Sequence, residues 1–200
     1  MENETTAAHF HKLFDLILKT QVTNREGQLF SLEEGMTKAV QMISSLGPSS
    51  NKALLIGNGG SAAVASHMQN DLCKAAGVRA MVFNEPPLLT ALTNDHGYES
   101  AFERLVELWA EANDLLIAIS SSGRSENILR AARAAAKRQC QILTFSGFRS
   151  DNPLRSTGDI NFYIASESYG AVEVAHTILM HSLTDRVMAS MLAGKDTTAS

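Results

Sequence analysis

Several features typical of other protein classes are scarce in this sequence. The 200 residues include two cysteines and four prolines, and 6% of them are aromatic. No stretch approaches the ~20 consecutive apolar residues of a membrane span. Cys73 and Cys140 form no CxxC pattern and lie in predicted helix or strand rather than in loops. Reduced thiols in the cytosol fit this usage best.

Charge is also sparse. The formal net charge is -4, and basic residues form no run longer than pairs such as Lys137-Arg138. The sequence therefore offers no cluster of basic residues that could bind the phosphates of a nucleic-acid backbone. Polar and charged residues interrupt the apolar residues of positions 1 to 20, so the apolar core of a signal peptide is lacking. We therefore expect a cytoplasmic protein that binds neither nucleic acid directly nor a membrane.

Apolar residues make up 44% of the chain, enough for one large core. Short apolar runs alternate with helical patterns of about ten to twenty residues. Five runs are predicted to be strands, at positions 53–56, 78–83, 115–119, 141–145 and 160–164. This alternation predicts βαβ units and a five-stranded parallel sheet with right-handed crossovers.

Two amphipathic helices are predicted ahead of the first strand, from Ala7 to Leu18 and from Ser31 to about Leu46. Ser31 and Glu34 have the spacing of a capping box, and the polar stretch from Gln21 to Gln28 is interpreted as a connection. Both helices should pack outside the α/β core, partly against another copy of the chain, because an exposed apolar stripe is a liability. We expect one domain over residues 1–200, with a helical extension at 1–47 and the α/β core at 48–193.

The first predicted strand runs into a glycine-rich turn, followed by a helix from Ser61 to about Ala76. The turn offers Asn58, Gly59, Gly60 and Ser61. Such a turn presents free backbone N–H groups and the positive end of the helix dipole to an anion. Glycine is equally common where the backbone needs a positive φ angle, so this motif alone leaves both interpretations open.

A second turn repeats the design with hydroxyls. The strand ending at Ile119 leads into Ser120, Ser121 and Ser122, and Ser125 precedes the next helix. Four hydroxyls beside a helix N-terminus suit the oxygens of a phosphate monoester. The alternative is that Ser125 only caps the helix. One cap does not require four hydroxyls, so the pattern favours a phosphate site.

Two helices carry groups that suit acid–base chemistry or metal binding. His67 and Asp71 are four residues apart on the first helix of the core, and the last helix carries Glu173, His176 and His181. Each pair alone is better explained as a structural ion pair or a core histidine. Together, beside a phosphate site, they make an acid–base or metal site a reasonable hypothesis.

The pairing of the glycine turn with the serine turn resembles the sugar isomerase (SIS) domain, and within it the phosphoheptose isomerases. The resemblance covers roughly residues 35 to 190. It implies a single three-layer α/β/α SIS domain with a flavodoxin-like, doubly wound sheet. It also implies a phosphosugar ligand and a homotetramer built by the N-terminal helices. The implied reaction converts sedoheptulose 7-phosphate to a heptose 7-phosphate for a surface polysaccharide, without a nucleotide cofactor.

The resemblance also assigns roles to residues. It puts Asp71 on a catalytic glutamate, His181 on the catalytic histidine and Glu173 on a substrate-binding position usually held by glutamine. Asn94 and Asp95 match a ligand-hydroxyl contact. Some family members bind zinc through the set that corresponds to His67, Asp71, Glu173 and His181.

Departures from the family pattern keep alternatives open. Asp71 is one methylene shorter than glutamate, Glu173 replaces an amide, and Gly170 stands where an acidic residue is frequent. A shift of about 1 Å in a general base can cost ~100-fold in rate. The alternatives are an isomerase for another phosphosugar and a non-catalytic SIS protein, either one that binds the bacterial replication initiator or a sugar-phosphate sensor. No DNA-binding helix-turn-helix is evident in this sequence, which weakens the interpretation as a sugar-phosphate sensor.

Overall fold

The computed structural model describes residues 5–47 and 50–196, with side chains as far as residue 193. The strands in this part of the chain are β1 (Gln21–Thr23), β2 (Leu29–Phe30), β3 (Ala53–Gly57), β4 (Ala80–Val82), β5 (Leu115–Ser120), β6 (Gln141–Gly147) and β7 (Ile160–Ile164). The helices are α1 (Thr6–Leu18), α2 (Leu32–Ser44), α3 (Gly60–Asp71), α4 (Pro86–His96), α5 (Tyr98–Trp109), α6 (Glu126–Lys137) and α7 (Tyr169–Asp196).

Five strands form a parallel sheet in the order β4-β3-β5-β6-β7. Numbered within this core, the order is 2-1-3-4-5, which is the doubly wound order of flavodoxin-like folds. The predicted fold class is therefore confirmed. The strand order reverses between β3 and β5, and this is where such sheets bind ligands, at the carboxyl ends of the strands.

The five predicted strands are present and parallel, but a hairpin that was not predicted extends the sheet beyond them. β1 pairs antiparallel with β7 and with β2, so the described sheet has seven strands and is mixed. The stretch Gln21 to Gln28, interpreted as a connection, contains β1 and the turn of this hairpin. Its strands have three and two residues, too few for an alternating pattern to be visible. The predicted boundary between 47 and 48 lies beside residues 48–49, outside the described residues.

Helices cover both faces of the sheet. Along β3, Ala53 and Leu55 pack into a core shared with α1, α2, α3 and α7, whereas Leu54 and Ile56 pack into a second core shared with α5 and α6. All four side chains are at most 1% exposed. This alternation is what the two-residue period of a strand produces, and it yields the predicted three layers.

Helix termini follow local chemistry. The predicted capping box is present, since the Ser31 hydroxyl accepts from the N–H of Glu34 and the Glu34 carboxylate accepts from the N–H of Ser31. The helix predicted to continue to Ala76 stops being α-helical at Asp71 and continues as one π-helical turn, Leu72–Ala76. Gly77, at φ 67°, ends that turn in the left-handed conformation that glycine tolerates best. Among the helices in the described ranges, none is long and apolar enough to cross a membrane.

Candidate functional site

The glycine turn and the serine turn are neighbours at the point where the strand order reverses. Gly57, the last residue of β3, lies beside Ile119 of β5 in the parallel ladder. Helices α3 and α6 begin directly after the two turns. At the start of each helix, N–H groups such as those of Ser61 and Ile128 donate to carbonyls of the preceding turn. Two positive helix ends therefore meet at one edge of the sheet.

Geometry requires a glycine at one position of the first turn, and a second glycine makes room for a side chain of α7. Gly59 has φ 54°, a conformation that L side chains rarely adopt. Gly60 lies against Glu173 of α7, and a Cβ atom at Gly60 would stand 2.4 Å from the Glu173 carboxyl carbon. Gly60 therefore allows a carboxylate to lie over the first residue of α3.

The turns enclose a pocket of about 120 Å³, here called the serine pocket. Its lining consists of Asn58, Ser61, Ser120, Ser121, Ser122, Ser125, Tyr169 and Glu173. The Ser121 hydroxyl is buried and has no hydrogen-bond partner among the described residues. A buried polar atom without a partner is costly, so this hydroxyl is available to a ligand oxygen.

The remaining serines are held by each other and by the turn. The Ser120 hydroxyl donates to Ser125 Oγ at 3.3 Å and accepts from the N–H of Gly123 at 3.2 Å. The Ser125 side chain makes no capping hydrogen bond to α6. Ser125 is the N-cap residue of α6 by position, but its hydroxyl does not cap the helix.

Asp71 and two histidines form a second cluster, farther along α3 and α7. Asp71 Oδ2 lies 3.5 Å from His67 Nε2 and 3.6 Å from His181 Nδ1. One ligand atom from each of these residues lies within 4.8 Å of the others. The side chains of His67 and His181 are 56% and 48% exposed, so the cluster borders solvent and is not a dry core ion pair.

One face of α7 connects the two clusters. Tyr169 and Glu173 line the serine pocket, and Thr177 and His181 line the cleft beside Asp71. These residues follow at steps of four, so they lie on successive turns of one face. At 1.5 Å per residue, Glu173 and His181 are about 12 Å apart along the helix axis. Glu173, predicted as a fourth metal ligand, is not part of the described metal-competent group.

The other two predicted ligand contacts lie elsewhere. Asn94 and Asp95 are exposed near the end of α4, where the Asn94 amide donates to Asp95 Oδ1 at 2.9 Å. Neither residue lines the serine pocket. Asn94 borders a separate open groove together with Tyr98.

His176 faces the core instead of either cluster. It is fully buried, packs edge-on against Phe145, and its Nε2 lies 3.2 Å from the carbonyl oxygen of Ser146. A carbonyl only accepts, so Nε2 carries the proton. Burial lowers the pKa of His176 from 6.5 to about 4, which keeps the ring neutral.

Three residues of the pocket region were missed by the sequence analysis. Tyr169 stands at the pocket rim with its ring against Phe148, at a centroid distance of 4.8 Å. Asn127 and Tyr98 hydrogen-bond to Asn58. The second position of α6 and the first position of α5 carry no motif, so only proximity in the fold could identify them.

Comparisons with known proteins agree with this geometry. A family model described as the SIS domain matches residues 20–147. The phosphoheptose isomerase of Helicobacter pylori is 31% identical over 180 residues, covering 86% of this chain and 93% of that protein. The chain belongs to the SIS-domain family, among the phosphoheptose isomerases. Pelobacter propionicus has another relative of that name, 32% identical over 149 residues, covering 72% of this chain and 78% of that protein.

Solved structures extend the family assignment to the fold. The structure of phosphoheptose isomerase from Neisseria gonorrhoeae superposes with a TM-score of 0.79 at 26% identity, over 90% of this chain and 96% of that one. A phosphoheptose isomerase from Francisella tularensis has a TM-score of 0.80 at 22% identity, over 95% and 99%. The SIS architecture therefore extends over almost all of this chain.

Proposed function

We propose that this protein is an aldose–ketose isomerase that converts sedoheptulose 7-phosphate to D-glycero-D-manno-heptose 7-phosphate. The observation that carries the proposal is the face of α7 that joins the serine pocket to the Asp71 cluster. A substrate with phosphate at one end and a carbonyl at the other suits a pocket and a cluster that are lined by the same helix, at residues about 12 Å apart along its axis. The family's activity agrees with this arrangement.

The serine pocket would bind the phosphate. Ser61, Ser120, Ser121, Ser122 and Ser125 supply hydroxyls, and Asn58, Gly59 and Gly60 bring the first turn of α3 close to the ligand. Two helix N-termini add favourable electrostatics for an anion. Glu173, an acceptor in the same pocket, would bind a sugar hydroxyl, and Asn94 and Asp95 would contribute from α4 only if the substrate reaches that groove. Binding energy at the phosphate end then positions the reacting carbons.

Asp71 and His181 would move the proton. A base removes a proton from C1 of the ketose while an acid protonates the C2 carbonyl oxygen, which gives an enediol. A proton is then returned to C2 and the C1 hydroxyl loses its proton, which gives the aldehyde. The side chains of Asp71 and His181 approach each other to 3.6 Å, so both are within reach of two adjacent carbons of one substrate. Which residue acts first as the base is left open by this geometry.

The same cluster fits zinc. In a tetrahedral site with ligands at ~2.1 Å, ligand atoms lie ~3.4 Å from one another, close to the 3.5 and 3.6 Å from Asp71 Oδ2 to the imidazole nitrogens. We propose that His67, Asp71 and His181 hold Zn²⁺ through these atoms, which would leave Asp71 Oδ1 and His181 Nε2 for proton transfer. The ion would polarise the carbonyl oxygen. Zinc content and a zinc-dependent rise in melting temperature test this independently of activity.

We also propose a homotetramer in the cytoplasm. Phe10, Phe14 and Leu18 recur at steps of four on α1 and are 61%, 64% and 64% exposed. A contiguous apolar face of this kind is typical of a surface that is covered in an assembly. The two cysteines are free thiols, as expected in a reducing compartment. Sedimentation at micromolar concentration tests the assembly, and a monomer would contradict it.

The proposed reaction is tested by two substitutions in the cluster. Asp71→Asn and His181→Gln should each lower turnover of sedoheptulose 7-phosphate by about 100-fold or more, because each removes an acid or base. Both side chains border solvent, so the melting temperature of the zinc-free protein should remain close to that of the zinc-free wild type. Asp185→Asn, on an exposed position of α7, is the matched control and should leave turnover unchanged.

A different outcome would contradict the assignment of the Asp71 cluster to catalysis. A large fall in melting temperature with turnover retained would identify the cluster as a structural ion pair. Assays with hexose and pentose ketose phosphates, each with and without zinc, separate the proposed substrate from a shorter one. Turnover of a shorter sugar in preference to sedoheptulose 7-phosphate would reassign the substrate.

A further inference from the structure

Three side chains tie the glycine turn to the serine turn. Asn58 Nδ2 donates to Asn127 Oδ1 at 3.0 Å, and Asn127 Nδ2 donates back to Asn58 Oδ1 at 2.8 Å. The Tyr98 hydroxyl donates to the same Asn58 Oδ1 at 2.7 Å. We call Asn58, Asn127 and Tyr98 the amide clamp. It spans the two turns at the reversal of strand order and adds an anchor from α5.

A backbone group fixes the direction of the clamp. The N–H of Ile128 lies 3.0 Å from Asn127 Oδ1, and because an N–H can only donate, this atom of Asn127 must be the oxygen. The Asn127 NH₂ group then faces Asn58 and requires an acceptor there. Asn127 is only 4% exposed, so water does not offer an alternative partner. Asn58 is therefore held with its oxygen toward Asn127 and Tyr98.

The remaining hydrogen-bonding capacity of Asn58 follows from counting. Its Oδ1 has two lone pairs, and Asn127 and Tyr98 use both. Its Nδ2 has two hydrogens, of which Asn127 uses one. Asn58 also lines the serine pocket. The only hydrogen bond that Asn58 can still offer to a ligand is one N–H donor.

We propose that Asn127 and Tyr98 are positioning residues that hold Asn58 as a donor toward the phosphate of the substrate. This inference rests on the proposed function of the serine pocket. The unprotonated oxygens of a phosphate group only accept hydrogen bonds, so the held orientation of Asn58 is the favourable one. Without Asn127, the amide can turn and present its oxygen, which repels the phosphate. Neither positioning residue touches the substrate in this account, since each acts through Asn58.

A double-mutant cycle tests whether Asn127 acts through Asn58. In the full-length protein, Asn127→Ala should raise the Kd for inorganic phosphate and the KM for sedoheptulose 7-phosphate about tenfold, with kcat unchanged, because phosphate binding is equal in the ground and transition states. In an Asn58→Ala background, Asn127→Ala should add no further increase. An increase of the same size in both backgrounds, or none in the wild type, would overturn the proposal.

The remaining measurements separate positioning from stability. Asn51→Ala, which removes a hydrogen-bonded amide at the opposite edge of the sheet, should lower the melting temperature without changing the Kd for phosphate. If Asn127→Ala does not fold, Tyr98→Phe replaces it, since this ring is exposed, and its smaller rise in Kd should also vanish in the Asn58→Ala background. Because phosphate binding is measured without turnover, a protein that binds phosphate normally but isomerises nothing would contradict the proposed reaction and not the clamp.

Discussion

The two ends of the parallel sheet treat polar groups in opposite ways. At the amino end, Lys52 Nζ donates to Asp114 at 2.7 Å and to Glu111 at 2.9 Å. Asp114 is fully buried and also accepts from the N–H groups of Lys52 and Glu111 and from the Asn51 amide. At the carboxyl end, the buried hydroxyl of Ser121 has no partner in the described chain.

The difference separates stability from function within one fold. Burial alone would lower the pKa of Lys52 and raise that of Asp114, but the hydrogen bonds from all their partners together outweigh it and shift each pKa the opposite way. Asp114 therefore stabilises the fold above pH 3.8, and this contribution is lost as the pH falls through its lowered pKa. At the amino end, Lys52 and Asp114 are paired within the chain, whereas at the carboxyl end the Ser121 hydroxyl is left for a ligand.

The largest effect is expected at the amino end. Asp114→Ala should lower the free energy of unfolding by about 4 kcal/mol, because it leaves the Lys52 charge buried without its closest partner. Denaturant unfolding measures this change, and the KM for the phosphosugar should stay the same. Glu33→Ala breaks an exposed ion pair with Arg186 and should have little effect on stability. Equal losses in both variants would contradict the distinction between the two kinds of pair.

His176 is an exception that sharpens the comparison, because it is buried near the carboxyl end but serves stability. Its folded pKa of about 4 lies below the ordinary value of 6.5. As the pH falls from 6.5 to 4, His176 binds a proton in the unfolded chain but not in the folded chain. The free energy of unfolding should therefore fall by about 3 kcal/mol over this window. In His176→Gln this component should be missing, and parallel pH profiles for the two proteins would contradict the assignment.

Ser121 should respond in the opposite sense to Asp114. Ser121→Ala removes a buried hydroxyl that has no described partner, so the melting temperature should be unchanged or slightly higher. The affinity for inorganic phosphate should fall about tenfold, which calorimetry measures. Ser44→Ala is matched to it, since the Ser44 hydroxyl is also buried without a described partner but lies on α2. This control should affect neither property, and a loss of phosphate affinity in both variants would show a general effect.

The smallest effect is expected at Glu173. Its carboxylate lies over Gly60 in the pocket proposed for the phosphate, so two like charges share one space. Glu173→Gln should tighten the binding of inorganic phosphate about threefold, since the pair is partly exposed and screened. The gain should shrink in high salt. A weaker affinity would show that the carboxylate assists phosphate binding through another group.

The sequence was sufficient for the parts of the fold that local pattern encodes. The five residues of β3 are all buried and apolar, and the turn after them is marked by glycines, so strand, turn and helix could be predicted together. The same holds for β5 and its serines. Two such units in one chain were enough to predict a parallel sheet with both turns at one edge.

Two kinds of feature could not be predicted from the sequence. They are contacts between residues far apart in the chain, and the direction in which a side chain of a helix faces. Asn127 is 69 residues from Asn58 and Tyr98 is 40, and no spacing rule links them. His176 and His181 are both histidines on the last helix, so both were candidates for the site. Only the packing of His176 against Phe145 shows that it faces the core. The hairpin of β1 and β2 is stabilised by pairing with β7, so its short strands carry little signal of their own.

The contact between Gly60 and Glu173 has an evolutionary consequence. A side chain at position 60 would displace the Glu173 carboxyl group, so a change at position 60 alters the place of that carboxylate in the pocket. Relatives with a larger residue at the position of Gly60 should carry a shorter residue at the position of Glu173. Residues 60 and 173 are more than a hundred positions apart in the sequence, and we expect them to change together among relatives.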